Sequence, residues 1–395
     1  MVIDAAVKAV EPQPKENATP PRWFRVDLET NEGPVPFLLG VQWPLLAESV
    51  AVVANGAERI PLPMTCKESQ CRASFDVFSA ALLLTFESEQ SLIGGWKRSE
   101  YYPAETVPLT GVAVDGPEAI HRYQKISDPA VDVGGSWSLN IDDVGPAKAK
   151  FEQAADGTVR GWIVPANIGD VRYLEGRVDG TRVRVSTFDG QHAYNVELIV
   201  SKDSKTLEGV WHFHTMWHYG ISGNRGEGPS LEDLHTMRLK PGKKTVALAE
   251  LAALRGTPVI VDLYGTWCPA CIDLMPALVD LYARYHDQGL EILSIAFEPS
   301  DDPELAEKQV AEFKKHYGIT WKSAIRDADD MAMALEDLEN ADGFPITLFV
   351  NRDGDVVGMH SGFVSAAAGE EHTKLLEKLD RLTQEIVAPS QGKAP

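Results

Sequence analysis

From Trp23 to about Val114 apolar and polar positions alternate in short runs: FRVDLET, ESVAVVAN, ERIPLPMT, RASFDVF, AALLLTFE and SLIGGWKR. A period of two sends successive side chains to opposite faces of a strand, and the Gly, Asn, Asp and Ser clusters between the runs supply turns. Residues 22–115 therefore read as an antiparallel all-β module. A connector over roughly 115–132, DGPEAIHRYQKISDPAVD, carries proline and charge. A second β-rich module follows over 133–240, with runs such as TVRGWIVP, TRVRVSTFDG and AYNVELIV. The modules close alike, SLIGGWKR at 91–98 and TLEGVWHF at 206–213, which suggests a tandem pair.

The rhythm changes at about Val246. ALAELAALRG reads as a short helix ended by Gly256, PVIVDLYG as a fully buried strand, and CIDLMPALVDLYARYHDQG as a helix. LEILSIAF and WKSAIRD read as strands, DPELAEKQVAEFKKHYG and DMAMALEDLE as helices. ITLFVNRDGDVVGMHSG reads as a hairpin turned at Asp353-Gly354, before a closing helix, GEEHTKLLEKLDRLTQEI. Strands alternating with helices predict an α/β domain over 246–388, with helices on both faces of its sheet. The fold class is thus two N-terminal all-β antiparallel modules followed by a C-terminal α/β domain. Residues 1–21, polar and rich in Pro, Lys and Glu, read as a disordered tether.

Charge narrows the range of functions. Lys and Arg number 37 against 58 Asp and Glu, a net charge of −21 over 395 residues. That acid surplus argues against nucleic acid and anionic lipid as partners. No run reaches the ~18 apolar residues of a membrane-spanning helix. The start, MVIDAAVKAVEPQPKENATPP, lacks the apolar core of a secretory signal.

The four cysteines fall as two close pairs, Cys66 with Cys71 and Cys268 with Cys271. In GTWCPAC, at 265–271, Cys268 stands where a strand gives way to a helix. Unpaired N–H groups and the dipole at a helix N-terminus favour thiolate over thiol. Pro269 fits the first turn, where its missing N–H costs nothing. Cys271, one turn on, can resolve a mixed disulfide on Cys268. A zinc site would need two further ligands, and no second Cys-x2-Cys or His pair follows at suitable spacing. The pair reads as redox-active. Cys66 and Cys71 flank Lys-Glu-Ser-Gln, where a four-residue hairpin loop sets them opposite each other. A structural disulfide is the favoured reading there, ahead of free thiols and a second redox pair.

Residues 246–388 resemble a thioredoxin-fold domain of the TlpA/ResA-like thiol–disulfide reductase family. The resemblance rests on VDLYGTWCPAC, on Pro276 five positions past the second cysteine, and on GFPITLFVNRDG at 343–354, in that order. VRYLEGRVDG and STFDG, within 171–190, are similar to the β-rich N-terminal region of some bacterial members, and HSGFVSAAAG at 360–369 resembles their segment before the last helix. The resemblance implies that Pro345 is the cis-proline facing the cysteine pair and that, with Phe344, it presents backbone to an extended substrate segment. It implies that Trp267 caps the pair, that Pro276 kinks the helix, and that Asp262 is the buried acid assisting proton transfer. A carboxyl inside PVIVDLYG must be buried or paired, so a raised pKa and general-base help to Cys271 are consistent with its setting. One departure matters: many members place proline directly before the second cysteine, whereas here Pro269 follows the first. The residues between the cysteines tune thiolate pKa and potential, so the direction of exchange is not carried over.

The implied function is dithiol–disulfide exchange with protein substrates in the bacterial periplasm or cell envelope, with the chain acting as a reductase, an upstream dithiol reductant as second partner and no cofactor. Two rivals stand beside it. A peroxiredoxin-like thiol peroxidase shares the fold but needs Thr three residues before its cysteine, where this chain has Gly265. Alternatively the β-modules bind a partner or ligand and the last domain is a redox-sensitive appendage. His212, His214 and His218 in WHFHTMWHYG invite a metal, but with no acidic or cysteine partner placed by sequence they read as a polar strand face beside packed Trp211 and Trp217. Met331 and Met333 read as helix packing, and the acidic run from Asp327 to Asp342 as a solvated face that can bias partner choice near Phe344 and Pro345.

Overall fold

The computed structural model describes residues 20–75, 77, 80–98, 106–213, 217–299, 302–341 and 343–389. The tether, apart from Pro20 and Pro21, and His214 lie outside the described residues.

Both β-modules are barrels. Eight antiparallel strands run from β1 (Arg22–Thr30) to β8 (Thr106–Val114), and β8 pairs back onto β1. A second set of eight, from β9 (Gly135–Ile141) to β16 (Trp217–Arg225), closes through β16 on β9. Closure removes the exposed edges that an open sheet of alternating strands would leave unpaired. Along β1 the alternation directs Phe24, Val26 and Leu28 into the first barrel, all fully buried.

The barrels are joined by more than their connector. The hairpin of β13 (Arg182–Phe188) and β14 (Ala193–Val200) carries Phe188 out of its own barrel into the core of the first. There its ring lies 4.4 Å from that of Phe37 and 5.2 Å, edge-on, from that of Trp96. The Trp96 indole N–H donates to the Gly190 carbonyl over 2.8 Å. The connector itself supplies Arg122, only 1% exposed. Its guanidinium donates to the Ala54 carbonyl at 2.6 Å, Asn55 Oδ1 at 2.8 Å and the Pro36 carbonyl at 3.1 Å, and pairs with Glu175 at 3.5 Å. A buried cation is tolerated only with such partners, so this stretch is an anchor between the barrels.

After the short helix α1 (Leu231–Leu234) and β17 (Arg238–Leu239) comes the α/β domain. Its elements are β18 (Val259–Tyr264), α2 (Pro269–Tyr285), β19 (Glu291–Glu298), α3 (Pro303–Tyr317), β20 (Lys322–Asp327), α4 (Met331–Ala334), β21 (Leu338–Glu339), β22 (Ile346–Val350), β23 (Val356–Ser361) and α5 (Glu370–Val387). The main sheet runs β20-β19-β18-β22-β23, parallel through the first three strands and antiparallel at β22 and β23. Two element readings change. ALAELAALRG forms only a 3-10 turn over Ala249–Leu254. DMAMALEDLE is helical only to Ala334, because Leu338 is drawn into the two-residue ladder between β17 and β21. Met331 packs against the core, but Met333 is 63% exposed, and Trp217 is exposed rather than packed. Pro276 lies within α2 without ending it. Among the described residues no helix is long and apolar enough to cross a membrane.

Candidate active site

Every residue of β18 is buried, so the strand runs through the domain core to Gly265. The chain then turns: the Cys268 amide donates to the Gly265 carbonyl at 3.1 Å, and Cys268 becomes the N-cap of α2 with Pro269 in the first turn. The Cys271 amide donates to Cys268 Sγ at 3.2 Å. That amide is one of the orphan donors of a helix start, and it favours negative charge on the sulfur. Cys268 and Cys271 are joined as a disulfide with Cα atoms 5.2 Å apart. Their exposure differs: 6% for Cys268 and none for Cys271.

Trp267 donates its indole N–H to the Phe297 carbonyl at 2.8 Å and meets Phe344 edge-on at 6.0 Å. Phe344 in turn stacks on Phe297 at 5.4 Å, and the Phe344–Pro345 bond is cis. Sequence reasoning missed Glu298, at the end of β19. Its buried carboxylate accepts from the Thr266 amide and hydroxyl, both at 2.8 Å, and so holds the turn ahead of Cys268. An acid ending the apolar run LEILSIAFE was the available signal.

Asp262 is fully buried, and burial pushes its carboxyl up to about 7 against the opposing hydrogen bond from Ser294. The Ser294 hydroxyl donates to Oδ2 at 3.1 Å and accepts from the Trp321 indole at 2.8 Å. Asp262 Oδ1 has no hydrogen-bond partner among the described residues. Cross-strand register sets Thr347 beside Asp262 and His360 beside Thr347, and directly opposed residues share a face. His235 packs edge-on against His360, ring centroids 4.0 Å apart. Burial lowers the pKa of both, that of His235 to about 4. A polar stripe thus crosses an otherwise apolar sheet.

Arg172 completes the surroundings. It lies at the start of β12 (Val171–Asp179) and reaches Glu58 of the first barrel at 3.2 Å, Asp189 at 3.7 Å and Asp273 of α2 at 3.2 Å. Burial raises the Asp273 carboxyl to about 7; Arg172 opposes this, but Glu58, Asp170 and Asp189 add to the rise.

The other candidates lie elsewhere. Cys66 and Cys71 form a disulfide across paired positions of β4 (Glu58–Lys67) and β5 (Gln70–Ser74), Cα atoms 4.1 Å apart. Lys67 pairs with Gln70, so the loop has two residues rather than four. His212 and His218 are cross-strand partners, and each approaches Glu32 of the first barrel, at 3.8 and 3.9 Å. Among the described residues no group of three or more His, Cys, Asp or Glu could hold a metal ion.

A family model described as the AhpC/TSA family matches residues 232–359, beyond both barrels. The thiol-disulfide oxidoreductase ResA of Halalkalibacterium halodurans is 30% identical over 128 residues, which span 32% of this chain and 67% of that protein. The chain belongs to the TlpA/ResA-like thiol–disulfide oxidoreductase family. ResA of Geobacillus kaustophilus is 28% identical over 127 residues, 32% of this chain and 67% of that protein. A putative thiol:disulfide interchange protein DsbE from Chlorobium tepidum is 18% identical over 38% of this chain and 100% of its own, with a TM-score of 0.30. As a member of the TlpA/ResA-like family the chain is a thiol–disulfide oxidoreductase, its thioredoxin-like domain preceded by two barrels.

Proposed function

We propose that this oxidoreductase works as a reductase of protein disulfides, with Cys268 as attacking and Cys271 as resolving thiol. The unequal exposure of the two sulfurs carries this division of roles. Cys268, at the helix cap, is the sulfur that a partner can reach, and Cys271 is reachable only by Cys268. In the dithiol form the Cys268 thiolate attacks one sulfur of a substrate disulfide; a mixed disulfide forms, and the departing substrate thiolate takes a proton. Asp262 accepts the proton of the Cys271 thiol, for which a carboxyl near 7 is matched to neutral pH. The Cys271 thiolate then attacks Cys268 Sγ, expels the second substrate thiol and closes the Cys268–Cys271 disulfide. Two electrons have passed to the substrate, and a dithiol partner returns them by the reverse exchange.

Trp267, Phe344 and Pro345 form the surface on which an extended substrate segment lies. The peroxidase alternative is weakened by Gly265 at the position where that chemistry uses threonine. The Cys66–Cys71 disulfide supports an oxidising, envelope location.

The test is the midpoint potential of Cys268–Cys271, by thiol trapping in defined redox buffers with Cys66 and Cys71 replaced by Ser. A value at or below about −230 mV supports the reductase; one above about −150 mV reverses the direction.

A further inference from the structure

The loop between β11 (Thr158–Pro165) and β12 leaves the second barrel and lies on the face of the thioredoxin-like domain that carries the cysteines. Three small residues border that face: Ala270 between the cysteines, Gly343 just before Phe344, and Gly362 just after β23. The loop touches all three. A Cβ added to Gly169 would run into the Cβ of Ala270, and one added to Gly343 would stand 2.9 Å from Ile168 Cγ2. One added to Gly362, at φ +74°, would meet the Ile168 carbonyl.

Polar bonds on either side hold the loop down. The Ser361 hydroxyl donates to the Asn167 carbonyl at 2.6 Å, and the Asp170 amide donates to the Phe363 carbonyl at 3.2 Å. The Asp170 carboxylate accepts from the Ser365 amide at 3.0 Å and its hydroxyl at 2.8 Å. An extended segment approaching Cys268 along Phe344 and Pro345 has to pass over Ala270, Gly343 and Gly362, and Ile168–Gly169 already lies there.

We propose that Ile168 is a specificity-determining residue, and that its loop fills the substrate groove so that small disulfides reach Cys268 while a protein segment must first displace the loop. This rests on the groove assigned above. Displacement breaks the hydrogen bonds of Asn167 and Asp170 to Ser361, Phe363 and Ser365. Apparent affinity for protein substrates falls by the fraction of molecules in which the loop is open.

The full-length protein, prereduced and freed of reductant, is mixed in single turnovers with bis(2-hydroxyethyl) disulfide or with insulin. Ile168→Ala, alone and with Ser365→Ala, is expected to raise the second-order rate constant on insulin about tenfold. The rate on the small disulfide should stay within about twofold. A parallel readout needs no exchange chemistry: alkylation of reduced Cys268 by a 5-kDa maleimide should accelerate in the variants, and alkylation by iodoacetamide should not. Unchanged or slower insulin reduction, with unchanged bulky alkylation in a variant whose circular dichroism matches wild type, overturns the role of Ile168. If prereduced wild type transfers electrons to neither disulfide, the reductase reading fails, and the alkylation ratio alone decides whether the loop covers the sulfur.

Discussion

Arg172 of the second barrel and Asp273 of α2 approach to 3.2 Å, two residues past Cys271. The same guanidinium reaches Glu58 and Asp189, so one cation joins both barrels to the helix that begins at Cys268. The barrels are thereby tied to the redox domain at its reactive end.

Replacing Arg172 by Leu leaves these carboxylates buried without their cation. Breaking a buried ion pair on one side costs about 3–5 kcal/mol, and that loss is expected in urea unfolding at pH 8. It should shrink at pH 5.5, where Asp273, with its pKa near 7, is already protonated. An equal loss at both pH values would show that Asp273 takes no part in the coupling and that Arg172 acts through its other partners.

Asp262→Asn separates stability from chemistry. The folded pKa, about 7, lies above the ordinary 3.8, so the native state holds the proton more tightly. Stability is therefore lost as pH rises from about 4 through 7. The Asn variant lacks this slope and should be more stable than wild type at pH 8, by up to roughly 4 kcal/mol for three pKa units. Its mixed disulfide on Cys268 should nevertheless resolve about 100-fold more slowly, the low end of the roughly 10²–10⁴-fold that a general base contributes. Denaturant titrations at pH 5 and 8, with quenched-flow trapping of the mixed disulfide, check both.

His235 and His360 titrate in the opposite sense. Their folded pKa values are depressed, so the unfolded chain takes up protons first and stability falls as pH drops below 6.5 toward about 4. Burial is the chief cause for both; His360 also feels His235 and Lys378, and His235 feels Lys378. His235→Gln with His360→Leu should flatten that fall, read as melting temperature against pH.

Cys66→Ser with Cys71→Ser opens a bridge over a sequence separation of 5. Chain entropy assigns so short a loop about 2 kcal/mol. The first barrel should melt earlier by that amount, while the Cys268–Cys271 potential stays within about 10 mV, since the two pairs lie in different domains. A larger change in potential would mark Cys66 and Cys71 as part of the redox circuit.

Local order along the chain was enough for much of this protein. Alternation identified two β-modules because a strand facing a core on one side must repeat every second residue, as Phe24, Val26 and Leu28 do. A strand turning into a helix at Gly-Thr-Trp-Cys-Pro placed Cys268 at a cap because both signals lie within a few residues. Such patterns are short-range. Barrel closure is not: whether β8 returns to β1 is a matter of tilt and stagger accumulated over eight strands. Nor does any period link Arg172 to Glu58 and Asp273, or seat Ile168 over Gly343, since partners more than 100 positions apart leave no local trace. The sequence by itself determined most of the element types and the place of Cys268 and Cys271 at a helix start. Only the tertiary structure decided which distant side chains share the low-dielectric space around that pair, and burial there, not residue type, is what moves Asp262 and Asp273 to about 7.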